Sequence, residues 1–406
     1  MPSKRILLLL LVLLAAITFL DRLAIAAAGP RIQSELGLSP EQWGWVLGAF
    51  VLAYGVFEIP TGRWGDRFGR RGVLTRIVLW WSAFTAITGM VSGFAPLVVT
   101  RFLFGAGEAG AYPNMAGVVS KRFATTERAA AQGFIWGASR AGGALSPLLV
   151  VPIQAAFGWR ASFFLFGGIG VVWCAVWWRW YRDETPEPVE PSPVQDADDA
   201  PWGVLLGSAQ VRFIVLMYGC YAWGSWFYFS WLHTWLVKGR GFSESEMAIF
   251  SALPFVLGAA ANLAGGFLSD ASVRRFGLRR GRVLVGSSCL ATAAVLLAAT
   301  ALAQDRGVAV ALLTLGFGVM DLMLPSAWAI CLDVSGPHAG AVTGAMNTAG
   351  QLGGFLCTVV FGYVVGRWGN YDLPLFLIAA MVATAAVLFT RIDASRPLFA
   401  APDTMN

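Results

Sequence analysis

The sequence predicts an all-α membrane protein: twelve transmembrane helices in two pseudo-symmetric bundles of six. Three observations carry this. Of 406 residues, 57% are hydrophobic and only 13% charged, with a mean hydropathy of +0.65, about half the charge of a soluble chain. Apolar runs of roughly 20 residues, the length of a membrane span, recur along the whole chain. Motifs in the first half return in the second.

In order, the predicted spans are 6–28, 43–61, 73–93, 96–119, 129–156, 161–181, 211–236, 247–268, 282–303, 308–332, 340–366 and 374–391. The first follows Lys4-Arg5 as a secretory signal would, but Asp21-Arg22 interrupts it, which no signal core carries. Arg182 to Ala200 is Pro-rich and acidic and reads as a solvated linker. This divides the chain into a bundle at 1–181, a linker at 182–208 and a bundle at 209–406. Lys and Arg cluster in alternate loops: Lys4 and Arg5, then Arg63 to Arg71, Lys121 to Arg128 and Arg274 to Arg282. The positive-inside rule then places both termini and the linker in the cytoplasm, expected to border a bacterial inner membrane. The 18 Trp suit many bilayer interfaces. A monomer is expected.

The repeat is visible residue by residue. Gly62-Arg-Trp-Gly-Asp66-Arg67-Phe-Gly69-Arg70-Arg71 follows the second span, and Gly266-Phe-Leu-Ser-Asp270 follows the eighth. Phe104-Gly105 aligns with Phe317-Gly318, setting Glu108 over Asp321, and Gly142-Gly143 aligns with Gly353-Gly354, setting Arg140 over Gln351. Two parallel repeats with matched polar residues are the plan of a rocking transporter with its site between the halves.

The charges inside the spans carry the chemistry. An Arg and a Glu within one apolar helix cost about 2.5–3.5 kcal/mol each at mid-bilayer. Arg101 and Glu108 stand two turns apart on one face, roughly 10 Å, too far for a pair within the helix. Each needs a partner on another helix, a water-filled cavity or a ligand. The expectation is that Arg101 holds an anion while Glu108 takes up and releases a proton. Asp21 and Arg22 are about 100° apart on the first helix, so Arg22 is expected to face the substrate and Asp21 a neighbouring helix. A guanidinium fork fits a carboxylate. Glu108 would be neutral when substrate occupies Arg22 or Arg101, and ionised when that Arg is free. Arg140 either binds a second acidic group or neutralises Asp321 or Glu108. Asp321 is a possible counter-ion or a second proton site. Tyr54, Asn347, Gln351 and Ser326 are candidates to bond substrate hydroxyls, or equally to bond other helices. Trp328 is placed with them as a lining residue. His233 is expected to be a hydrogen-bonded polar residue. Gly62, Asp66, Arg67, Gly69, Arg70 and Arg71 form a gating motif in which Asp66 bonds Arg67 or Arg70 and a helix N-terminus.

Other classes find no support. No metal-ligand spacing, nucleophile motif or phosphate loop appears, and Gly105-x-Gly107-x-x-Gly110 lies mid-span with no preceding strand. No cofactor is expected beyond a proton gradient as energy source, and no metal. The net charge of +6 sits in short loops, so nucleic acid is not an expected partner; a small organic anion, protons and the lipid bilayer are. An enzyme is not expected.

At these residues the chain resembles the major facilitator superfamily, through Gly62 to Arg71, and within it the anion:cation symporters, which include hexuronate, galactonate and glucarate porters. That second resemblance rests on Phe19-Leu-Asp21-Arg22, Arg101-Phe-Leu-Phe-Gly-Ala-Gly-Glu108-Ala-Gly-Ala-Tyr-Pro113-Asn114, Trp226-Phe-Tyr-Phe-Ser-Trp-Leu232 and Gly344-Ala-Met-Asn347-Thr-Ala-Gly350. It covers the whole chain. It implies the superfamily's fold and proton-coupled uptake of organic anions, with Asp21 and Glu108 as protonation sites. Glu58, His233, Arg140 and Asp321 depart from the pattern. An anion exchanger, a drug or anion exporter, and a non-transporting sensor are the alternatives.

Overall fold

The computed structural model describes residues 3–183, 202–335, 339–396 and 398, without the side chains at 59, 63, 66, 125, 126, 129, 130 and 339. Residues 184–201 of the linker expected at 182–208, and the Asp66 side chain, therefore lie outside the described residues. Every regular element described is helical: α1 Lys4–Ala27, α2 Gly29–Glu35, α3 Pro40–Phe68, α4 Arg70–Thr88, α5 Phe94–Glu108, α6 Ala111–Arg122, α7 Thr125–Phe157 and α8 Trp159–Trp180. Then come α9 Trp202–Gly207, α10 Ala209–Ser230, α11 Leu232–Thr234 leading into a π turn, α12 Glu244–Phe276, α13 Leu278–Leu302, α14 Arg306–Leu322, α15 Leu324–Ser335, α16 Ala339–Trp368 and α17 Leu373–Thr390. Among the described residues, eight stretches are long and apolar enough to cross a membrane. The other predicted spans coincide with α3, α4, α5 followed by α6, and α10.

Local chemistry sets the helix ends. Ser39 and Gln42 form a reciprocal cap at the start of α3, with Pro40 in the first turn. Gly69, Gly158 and Gly277 turn the chain at positive φ between consecutive spans.

The fourth predicted span differs from expectation. It is not one helix but two, broken at Ala109 and Gly110 directly after Glu108. Gly110 is left-handed (φ 85°), and Pro113 has no N–H to return to Ala109 and would clash with that carbonyl in a continuous helix. The second half repeats the device: α14 ends just after Asp321, and Pro325 stands four residues beyond that acid. The breaks pack alike. A Cβ on Gly110 would collide with Thr61, and one on Gly265 with the Leu322 backbone.

Packing groups the residues into two compact units, not along the division into sequence halves. The first holds the described residues of Met1–Thr185 together with Trp226–Val256 and Phe355–Pro374. Glycines explain this inclusion. Gly44 and Gly48 on α3 face the Thr358 and Val359 region of α16, and Gly362 faces the Pro40 backbone, so the helices meet backbone to backbone. Trp231 stacks on Phe361 and donates to the Thr358 carbonyl at 3.0 Å. The second unit holds the described residues of Pro186–Ser225, Leu257–Gly354 and Leu375–Asn406. There Gly353 faces the Gly219 backbone, as Gly142 of the first unit faces that of Ala16.

Gly110→Ala is expected to lower the melting temperature of the purified protein, by the equivalent of about 1–3 kcal/mol, because φ and the Thr61 contact both oppose a side chain. Gly168→Ala, inside α8 with open space around it, is expected to leave melting unchanged or raise it slightly. Equal melting of the two variants would contradict the assignment of strain to the break.

Candidate functional site

α1 and α5 bring four charged side chains together inside the first unit. Arg22 reaches across to Glu108: Nε donates to Oε1 at 3.0 Å and Nη2 binds the same oxygen. Glu108 is fully buried, and its second oxygen has no hydrogen-bond partner. This pair supplies the interhelical partner that the sequence required of Glu108. Arg101, the other charge on α5, is 2% exposed. Its guanidinium lies 4.4 Å from the Phe104 ring centroid and 5.1 Å from that of Phe50, within electrostatic reach of Glu108 and Asp21. Asp21 is 1% exposed and neither carboxylate oxygen is hydrogen-bonded. Trp81 of α4 lies close to it, yet the indole N–H makes no hydrogen bond either. Two guanidiniums and two carboxylates make the group neutral, which is what allows it to sit among apolar helices.

Aromatic rings surround Arg22. Its guanidinium lies 4.9, 5.2 and 4.8 Å from the ring centroids of Phe19, Phe50 and Tyr54, so rings replace part of its hydration. Phe19 stands edge-on to Tyr112 and to Phe229. The Arg140 guanidinium lies 5.5 Å from the Phe229 ring and within the field of Tyr112. Tyr112 is held by a 2.6 Å hydrogen bond to Ser139 and by stacking on Trp136. Arg22 and Arg140 thus border one aromatic group. Small residues make the approach possible: Gly105 of α5 sits against the Phe50 carbonyl of α3, and Gly142 of α7 against the Ala16 backbone of α1.

Residues 11–358 match the model of the Major Facilitator Superfamily. The chain belongs to the major facilitator superfamily. Membership makes it a multi-pass membrane transporter rather than an enzyme. It is 33% identical over 403 residues to a probable sulfoacetate transporter of Cupriavidus necator, covering 95% of this chain and 93% of that one. It is 29% identical to the hexuronate transporter of Bacillus subtilis, covering 97% and 95%, and 27% identical to a probable L-galactonate transporter of Escherichia coli, covering 94% and 87%. The resemblance to hexuronate and galactonate porters thus extends over most of the length of these proteins. A solved bacterial homologue of the human lysosomal transporter Spinster, inward-facing and occupied, superposes with a TM-score of 0.83 at 20% identity, covering 96% of each chain; it shares the fold.

In this superfamily member a second polar cluster lies where α2, α7 and α12 meet. Arg31 Nε binds both oxygens of Glu244, at 2.7 and 2.9 Å, and Nη1 donates to the Gln154 carbonyl at 2.8 Å. Gln154 Nε2 donates to Glu244 at 3.1 Å. Close by in sequence, Gln33 bonds Thr234 and accepts from Lys238. These ties join α2 of the first sequence half to segments of the second half within one unit. His233 beside them is fully buried, and neither ring nitrogen has a hydrogen-bond partner; the expectation of a hydrogen-bonded side chain does not hold.

The gating motif is built on glycine contacts and on an acid that sequence reading did not single out. Gly62 meets Pro113 of α6, Gly117 lies under the Arg70 guanidinium, and Gly69 (φ 84°) starts α4. The carboxylate of Asp183 accepts from the backbone N–H of Arg70 and Arg71 at 3.0 and 3.1 Å, capping the N-terminus of α4. Arg71 lies 4.0 Å from the Trp178 ring centroid, while Arg67 is exposed against Phe68. A helix ending at Gly69 and an acid just past the sixth span were the available signals.

In the second unit, Asp321 is fully buried and accepts from Tyr221 at 3.4 Å, with Gly258 against it. Trp328 stands edge-on to Tyr218 and is partly exposed. Asn347 and Gln351 are half-buried on α16. Ser326 is buried and bonds Ser269 at 2.8 Å. Ser269 in turn accepts from Arg282, which binds Asp333 at 3.2 Å and Asp270 at 3.4 Å. Ser326 is thus bonded to another helix, beside the second copy of the gating motif.

A double-mutant cycle tests the buried pair. Arg22→Gln alone leaves Glu108 uncompensated and is expected to cost about 3–5 kcal/mol, while Arg22→Gln with Glu108→Gln is expected to be milder. The readout is chemical or thermal denaturation in detergent. Simple additivity would contradict the pairing.

Proposed function

We propose that this transporter carries a small organic anion into the cell together with a proton. The observation that carries the reading is the ion pair from Arg22 to Glu108 inside the apolar helices of the first unit. Arg22 is the side chain suited to an incoming carboxylate or sulfonate, and it is already held by Glu108. An anion that takes the guanidinium leaves a buried carboxylate without compensation, at a cost of several kcal/mol. A proton on Glu108 removes that cost. Anion and proton therefore bind together and leave together. Asp21, buried beside Glu108 and Arg101, is a second stop for that same proton in this reading, and Arg101 keeps the group balanced.

Arg140 narrows the substrate. It borders the same aromatic group as Arg22, so a short molecule charged at both ends engages both guanidiniums. The relatives support this class. One is a probable transporter of sulfoacetate, which bears a carboxylate and a sulfonate; a second, a hexuronate transporter, matches the single carboxylate that Arg22 alone would hold. A dianion using Arg140 for one end and Arg22 for the other needs one proton, on Glu108. The loop charges read in the sequence orient both termini and the linker to the cytoplasm of a bacterial cell. The Arg31 to Glu244 pair is then among the contacts that part when the site turns to the opposite face. An exchanger would use the same guanidiniums but would not depend on the proton gradient.

Proteoliposomes test this, with sulfoacetate and glucuronate as probes and the membrane potential clamped. An inward gradient of about one pH unit is expected to drive accumulation of roughly tenfold at one proton per anion. Glu108→Gln is expected to abolish accumulation and retain counterflow, while Arg22→Ala loses both. Accumulation that ignores the gradient, or survives Glu108→Gln, would contradict proton coupling.

A further inference from the structure

A cavity of about 560 Å³ in the second unit is lined by Arg279, Arg391, Arg396 and Asp393, with Gln210 and Phe213 beside them. It lies where α10 and α13 begin and where α17 has just ended. The described first-unit charges have no part in it.

The cavity is a built one. Gln210 clasps the Asp393 backbone on both sides, Nε2 donating to its carbonyl at 3.2 Å and Oε1 accepting from its N–H at 2.9 Å. The Asp393 side chain sits between Arg279 at 3.4 Å and Arg396 at 3.3 Å. Burial pushes this carboxyl up, but hydrogen bonds from Ser395 and the fields of Arg279 and Arg396 outweigh burial and hold it below the usual carboxylate range. It is ionised at neutral pH and cancels one of the three guanidinium charges. Two positive charges remain. The Arg391 side chain has no hydrogen bond or ion pair among the described residues, and it is exposed at the cavity.

The level of the cavity in the membrane follows from length. α17 is an 18-residue apolar helix, so it spans about 27 Å, close to the full hydrocarbon thickness. Arg391 is the residue immediately after it and falls in the layer of lipid phosphates. Phe213 and Leu398 give the cavity an apolar border, suited to the glycerol end of a lipid. Basic pockets among helix ends at this depth hold anionic headgroups.

We infer that this cavity is a binding site for a phosphate group, that of an anionic phospholipid headgroup, held by Arg391, Arg396 and Arg279. Net charge selects the ligand. An anionic headgroup brings a phosphate without a cation, whereas a choline headgroup carries its own cation into a pocket that is already positive. Phosphate free in solution shares this chemistry, so the test separates the two sources.

The full-length protein, purified and delipidated in detergent, is melted with phosphatidylglycerol, with phosphatidylcholine of the same chains, or with inorganic phosphate. Phosphatidylglycerol is expected to raise Tm by about 2–4 °C over phosphatidylcholine. Arg391→Gln removes no ion pair, so it is expected to fold as the wild type does and to lose at least half of that rise. Arg396→Gln is the second variant, read in the same way. A rise produced by inorganic phosphate and lost in Arg391→Gln would support the phosphate site with a soluble source. Equal melting in the two lipids without a phosphate effect, or a full rise retained in Arg391→Gln, would overturn the inference.

Discussion

Four charges buried among apolar helices must balance, and this constraint organises the first unit. Asp21, Arg22, Arg101 and Glu108 sum to zero, and the contact between Arg22 and Glu108 is the strongest of their interactions. Removing either side of such a pair costs far more than the pair contributes. In the proposed cycle the same arithmetic that keeps the group folded governs what binds to it. An anion on Arg22 is tolerable only if negative charge is cancelled elsewhere, and Glu108 is placed to do so by taking a proton. In the proposed cycle, selectivity for anions and coupling to protons are two faces of one charge balance.

The helix breaks give that balance a mechanical setting. Glu108 closes α5, and the chain restarts as α6 after Gly110. Asp321 occupies the matching place before the end of α14. An acid at the end of a broken helix sits where the backbone ladder is interrupted, so movement of α6 relative to α5 need not break further hydrogen bonds. Gly110 against Thr61, and Gly265 against Leu322, keep each break pressed on its neighbouring helix, which lends the two-fold repeat a structural as well as a sequence meaning. Across α2, α7 and α12 the Arg31, Gln154 and Glu244 cluster ties segments of both sequence halves into one unit.

Much of this was legible in the sequence because hydropathy, loop charge and repeats report directly on spans. The cost of intramembrane charge also marked Asp21, Arg22, Arg101 and Glu108 as a group, and the angular separation of neighbours on α1 implied that Asp21 and Arg22 face different surroundings. Which charges pair was not legible, because pairing depends on helix rotation and on Gly105 and Gly142 letting α5 and α7 close in. The helix break was signalled by Gly110 and Pro113, but hydropathy runs smoothly through both. Asp183 was read only as part of the acidic linker, because its contact with the start of α4 depends on chain reversal at the end of α8. His233 and Ser326 were misjudged or left open for the same reason: hydrogen bonding within a packed interior is a tertiary property.

The most direct test of the account is the number of protons taken up when the anion binds. Calorimetric titration of sulfoacetate or glucuronate in buffers of different ionisation enthalpy gives this number without transport. The account predicts about one proton per anion bound by the wild type, and close to none for Glu108→Gln. Binding without proton uptake, or the same uptake in Glu108→Gln, would contradict a charge balance centred on Glu108.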